Sequence, residues 1–230
     1  MAQNSTPNRR ERPAKPALTR EGIIDAALGI LDDEGLGRVT MRRIAAELDT
    51  GAASLYVYVR NTEDLHAQIL DALMDRMAPA PSDGSWRERL HALLTGYGAV
   101  LFDHPEIARM AMSTHPTGPR YLALVESILE LLAEGGVPDD QAAWAVDLLL
   151  ASVTAEAVEH GSGDATGAGS EALSLMAASI AIAPESRYPR IVRLGDDMLS
   201  GDPMERFTWG LDVLINGIIA TPRPRAADRA

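Results

Sequence analysis

Apolar residues recur three or four positions apart along nearly every segment free of glycine and proline, the spacing of one face of a helix. Behind Thr19, a hydroxyl suited to capping a helix start, Ile23, Ile24, Ala27, Leu28 and Leu31 share a face, and Gly35 and Gly37 stop the run. Thr40 can cap a second helix with Ile44, Ala45 and Leu48 inward, closed by a turn at Asp49-Thr50-Gly51. Asn61, with Asp64 three residues on, opens a long amphipathic helix over 62–77 that uses Leu65, Ile69, Ala72, Leu73 and Met77. The proline-rich segment 78–84 then breaks the pattern, which places the connection between two parts of the chain near it.

Beyond the break, Ser85-Trp86-Arg87-Glu88 reads as a capping box opening a helix to about Phe102. Pro105 permits a short helix to about Ser113; further helices are predicted over 120–134, ended by Gly135-Gly136, and over 138–159, begun by a first-turn proline. By composition the stretch 161–169 reads as a mobile loop. Helical pattern returns over 170–182 and around 190–199, and Asp202-Pro203-Met204-Glu205 joins cap, proline and N3 acid to launch a last helix through Ile219. No internal repeat is present.

One stretch resists this pattern. Leu55-Tyr56-Val57-Tyr58-Val59 alternates like a strand. No second strand candidate exists to pair with it, and a lone strand leaves its backbone groups unsatisfied. The remaining reading is a short third helix over 52–59, with Leu55 and Val59 closing onto Leu48 and Ile44, and with Ala52, Ala53, Ser54, Tyr56 and Tyr58 facing elsewhere. The fold class expected is therefore all-α.

Charge changes what that short helix can mean. The chain's 230 residues carry a net charge of −12, which by itself argues against phosphate binding. Residues 1–60, however, hold nine basic and eight acidic residues, so the remaining twelve and twenty-five place −13 on the rest. A near-neutral head with a basic, proline-rich arm over 1–17 precedes an acidic body, so DNA binding is permitted at one end only. Two helices joined by a tight turn, the second presenting small and hydrogen-bonding residues, is how a helix-turn-helix enters a major groove. Tyrosine hydroxyls can donate to phosphates, alanine methyls can touch thymine methyls, and Arg42 and Arg43 sit where a phosphate or a guanine edge is within reach. Packing of Tyr56 and Tyr58 against the following helix is the competing reading, and a tyrosine can serve both purposes.

The run LTREGIIDAALGILDDEGLGRVTMRRIAAELDTGAASLYVYVRNTEDL resembles the DNA-binding domain of the TetR family of transcriptional regulators. The resemblance lies in the AAL of the first helix, the T-x-R-x-I-A-x-x-L of the second and the closing S-L-Y-x-Y-V-x-N, and it covers about residues 18–70. It implies that Arg42, Ala52, Ala53, Ser54, Tyr56 and Tyr58 face DNA, with Thr62 where the family often has a phosphate-binding lysine. Domains follow as an arm over 1–17, a helix-turn-helix head over 18–64, a helical body over 65–221 and a disordered tail over 222–230.

The closing RFTWGLDVLINGI, Ser85-Trp86 and the stretch from Thr114-His115-Pro116-Thr117 to Glu159 are similar to the C-terminal domain of tetracycline repressors. This implies a homodimer bundled through the helices over 138–159 and 203–219; their stripes Val146, Leu149, Leu150, Val153 and Leu211, Leu214, Ile215, Ile218 allow it, and equally allow core within one chain. It also implies an effector pocket at Leu93, Tyr97, Ala111, Thr114, Ser127 and Glu159; by residue type Trp144 and Asp147 can add orienting contacts, with core packing the equal reading for Tyr97 and Trp144, and His115 beside Pro116 reads as a solvated surface residue. Alanine at 111 replaces the family's metal-binding histidine, so no magnesium chelate and no metal or other cofactor is expected. A small, largely apolar effector that releases a palindromic operator is the expected function.

Other classes are narrowed on chemical grounds. Absence of cysteine excludes disulfides, thiolate zinc and a thiol nucleophile. The five histidines show no metal spacing, and neither a nucleophile elbow nor a phosphate loop is visible, so an enzyme is not expected. No run of about 18 apolar residues appears and the N-terminus lacks a secretory core, so a cytoplasmic protein with no membrane partner is expected. A dimeric DNA-binding regulator without an effector is the alternative.

Overall fold

The structure is a computed structural model describing residues 17–79, 81–112, 116–164 and 168–224. The expected flexible arm, most of the expected tail, and both Thr114 and His115 lie outside the described residues. All regular structure among the described residues is helical, and the chain divides into two units, residues 1–62 and 63–230.

In the first unit α1 (Arg20–Glu34) starts on Thr19, whose hydroxyl accepts the Gly22 N–H at 3.0 Å. It ends at Gly35, whose φ of 80° is a left-handed value that side chains disfavour. Thr40 caps α2 (Met41–Glu47) by accepting the Arg43 N–H at 3.1 Å. Ile23, Ala27, Ile44, Leu55 and Val59 are wholly buried and form the core of the head. The third helix is shorter than the 52–59 expected: α3 is the single turn Ala52–Leu55. Beyond it the Tyr58 and Val59 N–H groups both reach the Leu55 carbonyl, at 2.9 and 3.0 Å, so the chain tightens into turns. Leu55 and Val59 still point inward, while Val57 is 79% exposed, and the alternating run is thereby accommodated without a strand.

The second unit contains α4 (Thr62–Leu73), whose first residue closes the head, then α5 (Trp86–Asp103), α6 (Pro105–Ala111), α7 (Pro119–Glu134), α8 (Asp139–Asp164), α9 (Ala168–Ala181), α10 (Pro189–Leu199) and α11 (Pro203–Ala220). Both expected capping boxes form, Ser85 with Glu88 and Asp202 with Glu205. The division falls after Thr62, two residues before the expected end of the head at 64 and far from the break at 78–84, because the buried side of α4, with Leu70, Leu73 and Asp71, belongs to the body. The expected helix over 62–77 also ends early, passing into a 3-10 turn at Met74–Arg76.

At the centre, α8 packs against α5, α6, α7, α9 and α11. By length and composition its Asp139–Glu159 stretch could cross a membrane, but Leu149, Val153 and Ala157 are wholly buried as core. It runs on through Gly161, Ser162, Gly163 and Asp164, where a loop was expected. Propagating an existing helix is far cheaper than nucleating one, so weak helix formers are carried along.

The apolar stripes of α8 and α11 are largely spent within the chain: Leu149, Leu150, Val153, Leu211, Ile215 and Ile218 are buried, with Val146 and Leu214 half-buried. A different face of the same helices is exposed and apolar, with Trp144, Leu148 and Val213 about half accessible.

Candidate nucleic-acid interface and ligand cavity

In the head, the two arginines of α2 have different fates. Arg43 donates to Glu34 at 2.7 and 3.0 Å and to Glu47 at 2.8 Å, clamping α2 to the end of α1. Those bonds hold the Glu34 carboxyl below its ordinary value, and the same contacts raise the guanidinium further. Arg43 is thus paired within the head, with its side chain about a third exposed. Arg42 beside it is exposed and makes no ion pair among the described residues.

Ala53, Ser54 and Thr62 are exposed, Tyr56 is 55% exposed, and Ala52 is half-buried. Tyr58 is half-buried, and its hydroxyl donates to the Leu18 carbonyl at 2.8 Å instead of facing outward as expected. The head thus presents the exposed Arg42 on α2 and the exposed Tyr56 directly after α3, with small side chains on α3 that allow close approach.

In the body, Tyr97, Ala111 and Asp147 line one cavity of about 90 Å³, together with Tyr121, Leu150 and Thr154. The Thr154 hydroxyl donates to the Leu150 carbonyl at 2.7 Å, so the Tyr97 hydroxyl, 3.1 Å away, donates to Thr154 and keeps its own oxygen as an acceptor. Burial pushes the Tyr97 phenol well above its ordinary value; burial and then the Asp147 charge push Tyr121 upward too, so both remain neutral donors.

The other candidate residues are placed elsewhere. Leu93 is buried and Ser127 half-buried without lining this cavity, and Glu159 is exposed late on α8. Trp144 lines a separate groove of about 600 Å³ with Leu148 and Val213, its ring 4.3 Å from the Arg223 guanidinium. A third groove, about 450 Å³, runs along Thr95, Phe102, Met204 and Phe207.

One residue that sequence reasoning missed ties α4 to the cavity wall. Asp71, 5% exposed, accepts the Arg120 and Tyr121 backbone N–H groups at 3.0 and 2.9 Å, capping α7 from another helix. The Arg120 guanidinium adds a 3.4 Å contact to Asp71 and a 2.6 Å bond to Asp75. A Cβ on Gly118 would meet Asp71 at 2.1 Å, so only glycine fits under the carboxylate. The available signal was a carboxylate on the inward face of an amphipathic helix, and a Gly-Pro helix start with no capping side chain of its own.

Comparison with known proteins matches residues 23–69 to bacterial regulatory proteins of the tetR family and residues 78–221 to the tetracyclin repressor-like C-terminal domain. The HTH-type transcriptional repressor DrrR1 of Streptomyces coeruleorubidus is 30% identical over 239 residues, covering 98% of this chain and 86% of its own. The crystal structure of a candidate transcription regulator from Streptomyces superposes with a TM-score of 0.77 at 45% identity, covering 92% of this chain and 99% of the other. ActR of Streptomyces coelicolor in complex with actinorhodin gives 0.79 at 34% identity, covering 89% and 97%.

Proposed function

The chain belongs to the TetR family of bacterial regulatory proteins, and from that premise we propose that it is a cytoplasmic transcriptional repressor whose hold on DNA is released by a small molecule. The observation that carries the reading is the edge formed by Arg42, Ala53, Ser54 and Tyr56, exposed on a head whose other functional-looking arginine is locked into the fold. Tyr56 and Ser54 donate to phosphate oxygens while Ala52 and Ala53 admit the α3 backbone to the major groove, and Arg42 and Thr62 hold flanking phosphates. Base readout is thin, since no long polar side chain stands on α3. Two copies pair through the exposed Trp144, Leu148 and Val213 face of α8 and α11, setting two heads about 34 Å apart for a palindromic site.

The effector site is the cavity at Tyr97, Ala111, Tyr121, Asp147 and Thr154. Drug-sized ligands need about 300 Å³ or more, so at about 90 Å³ the cavity must widen before it can hold one. The effector therefore favours an expanded body over the compact one, and that difference in affinity is what shifts the population. ActR forms a complex with actinorhodin, which supports a small-molecule effector for this chain, oriented here by the two phenols and one carboxylate. The response leaves the body through α4, whose first residue ends the head.

The test is selection of duplexes from a randomised library by the purified protein, followed by binding of Ala53→Arg and Tyr56→Ala variants. A two-fold-symmetric duplex bound more weakly by both variants is expected. Wild-type affinity and preference in both would remove α3 as the reading element.

A further inference from the structure

We propose that Asp71 is the positioning residue that couples the cavity at Tyr97, Tyr121 and Asp147 to α4, so that an effector widening the cavity moves α4, and an α4 held by DNA keeps the cavity narrow. The proposal rests on the ligand-released, DNA-binding reading above and names its relay. Among the described residues two polar side chains are buried, Asp71 and Thr154, at 5% and 4% exposure. Thr154 lines the cavity, and Asp71 holds the start of the helix that brings Tyr121 to it.

That hold is a helix cap supplied from another helix. Pro119 has no N–H, and Gly118, in the N-cap position of α7, has no side chain to offer. The first intrahelical bond of α7 comes from the Leu122 N–H, which reaches the Gly118 carbonyl at 3.0 Å. The Arg120 and Tyr121 N–H groups in between both donate to one oxygen of the Asp71 carboxylate, at 3.0 and 2.9 Å. The Arg120 guanidinium reaches the other Asp71 oxygen at 3.4 Å, and Asp75, in the 3-10 turn that follows α4, at 2.6 Å.

Such a joint transmits displacement because it has no slack. A Cβ on Gly118 would stand 2.1 Å from Asp71, so the start of α7 lies directly against the carboxylate. Were α7 to move without α4, a buried carboxylate would lose two N–H donors with no water to replace them, a cost that favours the two helices moving together. At about 90 Å³ the cavity is too small for a drug-sized ligand, and Tyr121, half-buried on its wall, stands on the first turn of α7. Widening at Tyr121 displaces the turn that Asp71 grips. Asp71 lies nine residues along α4 from Thr62, about 13 Å at 1.5 Å per residue, within one continuous helix.

Coupling between two sites is reciprocal, so it can be read from the DNA side with no effector in hand. The experiment is hydrogen–deuterium exchange of the full-length protein, alone and saturated with a duplex selected by the wild type. In the wild type the duplex should slow exchange of the Arg120 and Tyr121 amides by about threefold or more, although both belong to the body. Asp71→Asn keeps an oxygen acceptor but loses the charge that Arg120 pairs with, and should lose about half of that slowing. Asp71→Ala loses acceptor and charge, and the slowing should vanish; should it not fold, the Asn variant carries the test. Ile128→Val, on the buried side of the same helix, loosens α7 without touching the cap and should keep the full slowing. No slowing in the duplex-bound wild type, or equal slowing in wild type and Asp71→Asn, overturns the relay. Slowing lost as fully in Ile128→Val overturns it too, and leaves Asp71 a cap and nothing more. If the wild type selects no duplex, the failure lies in the DNA-binding reading itself.

Discussion

Single residues here carry roles that their chemistry suggests but their position decides. Arg42 and Arg43 are adjacent and identical in type, yet the first makes no ion pair among the described residues and the second is held by two carboxylates. Nothing in the order of residues distinguishes them; the angle of α2 against Glu34 does. Glu34 is held below its ordinary value of 4.5, so its contribution to the head is present above that value and lost as pH falls below it. Glu34→Gln should therefore lower the melting temperature at neutral pH and reduce the acid sensitivity seen between pH 5 and pH 3, measured by circular dichroism. Asp71 sets a larger stake, because its carboxylate is buried and accepts two backbone N–H groups. Asp71→Ala leaves those donors without a partner and should cost about 2 to 4 kcal/mol in urea unfolding. Gly118→Ala should destabilise the same joint, since its new methyl falls within the carboxylate's volume.

At the scale of helices, most of what the chain does was legible from periodicity and capping chemistry. Thr19, Thr40, Ser85 and Asp202 all cap where the residue types require, because these signals are local. The failures are of another kind. The 161–164 segment is helical despite its glycines, and α3 is one turn long despite a helical register over 52–59. Both depend on neighbouring structure that composition does not encode. Leu55 ties that single turn to the head, and Leu55→Ala should cost about 2 to 5 kcal/mol and abolish DNA binding together with the fold of the head. In α4, burial pushes His66 below its ordinary value of 6.5, opposed by the Glu106 charge. The unfolded chain then binds the proton first, so stability is present above pH 6.5 and declines as pH falls through the interval below it. The melting temperature should drop between pH 7 and pH 5.5, and His66→Gln should shrink that drop.

For the whole molecule, sequence pattern named α8 and α11 as the helices proposed here to pair two copies, without locating their exposed face. The stripes at Leu149, Leu150, Val153, Leu211 and Ile215 are the chain's own core, while Trp144, Leu148 and Val213 remain exposed. An inward stripe and an interface stripe have the same period on a helix, and only packing separates them. Trp144→Glu with Val213→Glu should convert a dimer to a monomer in sedimentation and lower duplex affinity, because two linked heads bind far more tightly than one. The proposed effector residues divide for the same reason: Tyr97, Ala111 and Asp147 line one cavity, whereas Trp144 lines the outer groove. The central claim, that paired α3 turns read a symmetric duplex, is tested most directly by selecting duplexes with the purified protein at two salt concentrations. The account requires enrichment of a two-fold-symmetric site, half-sites about one helical turn apart, bound more weakly as salt rises. Recovery of sequences with no symmetry and no common element would contradict it.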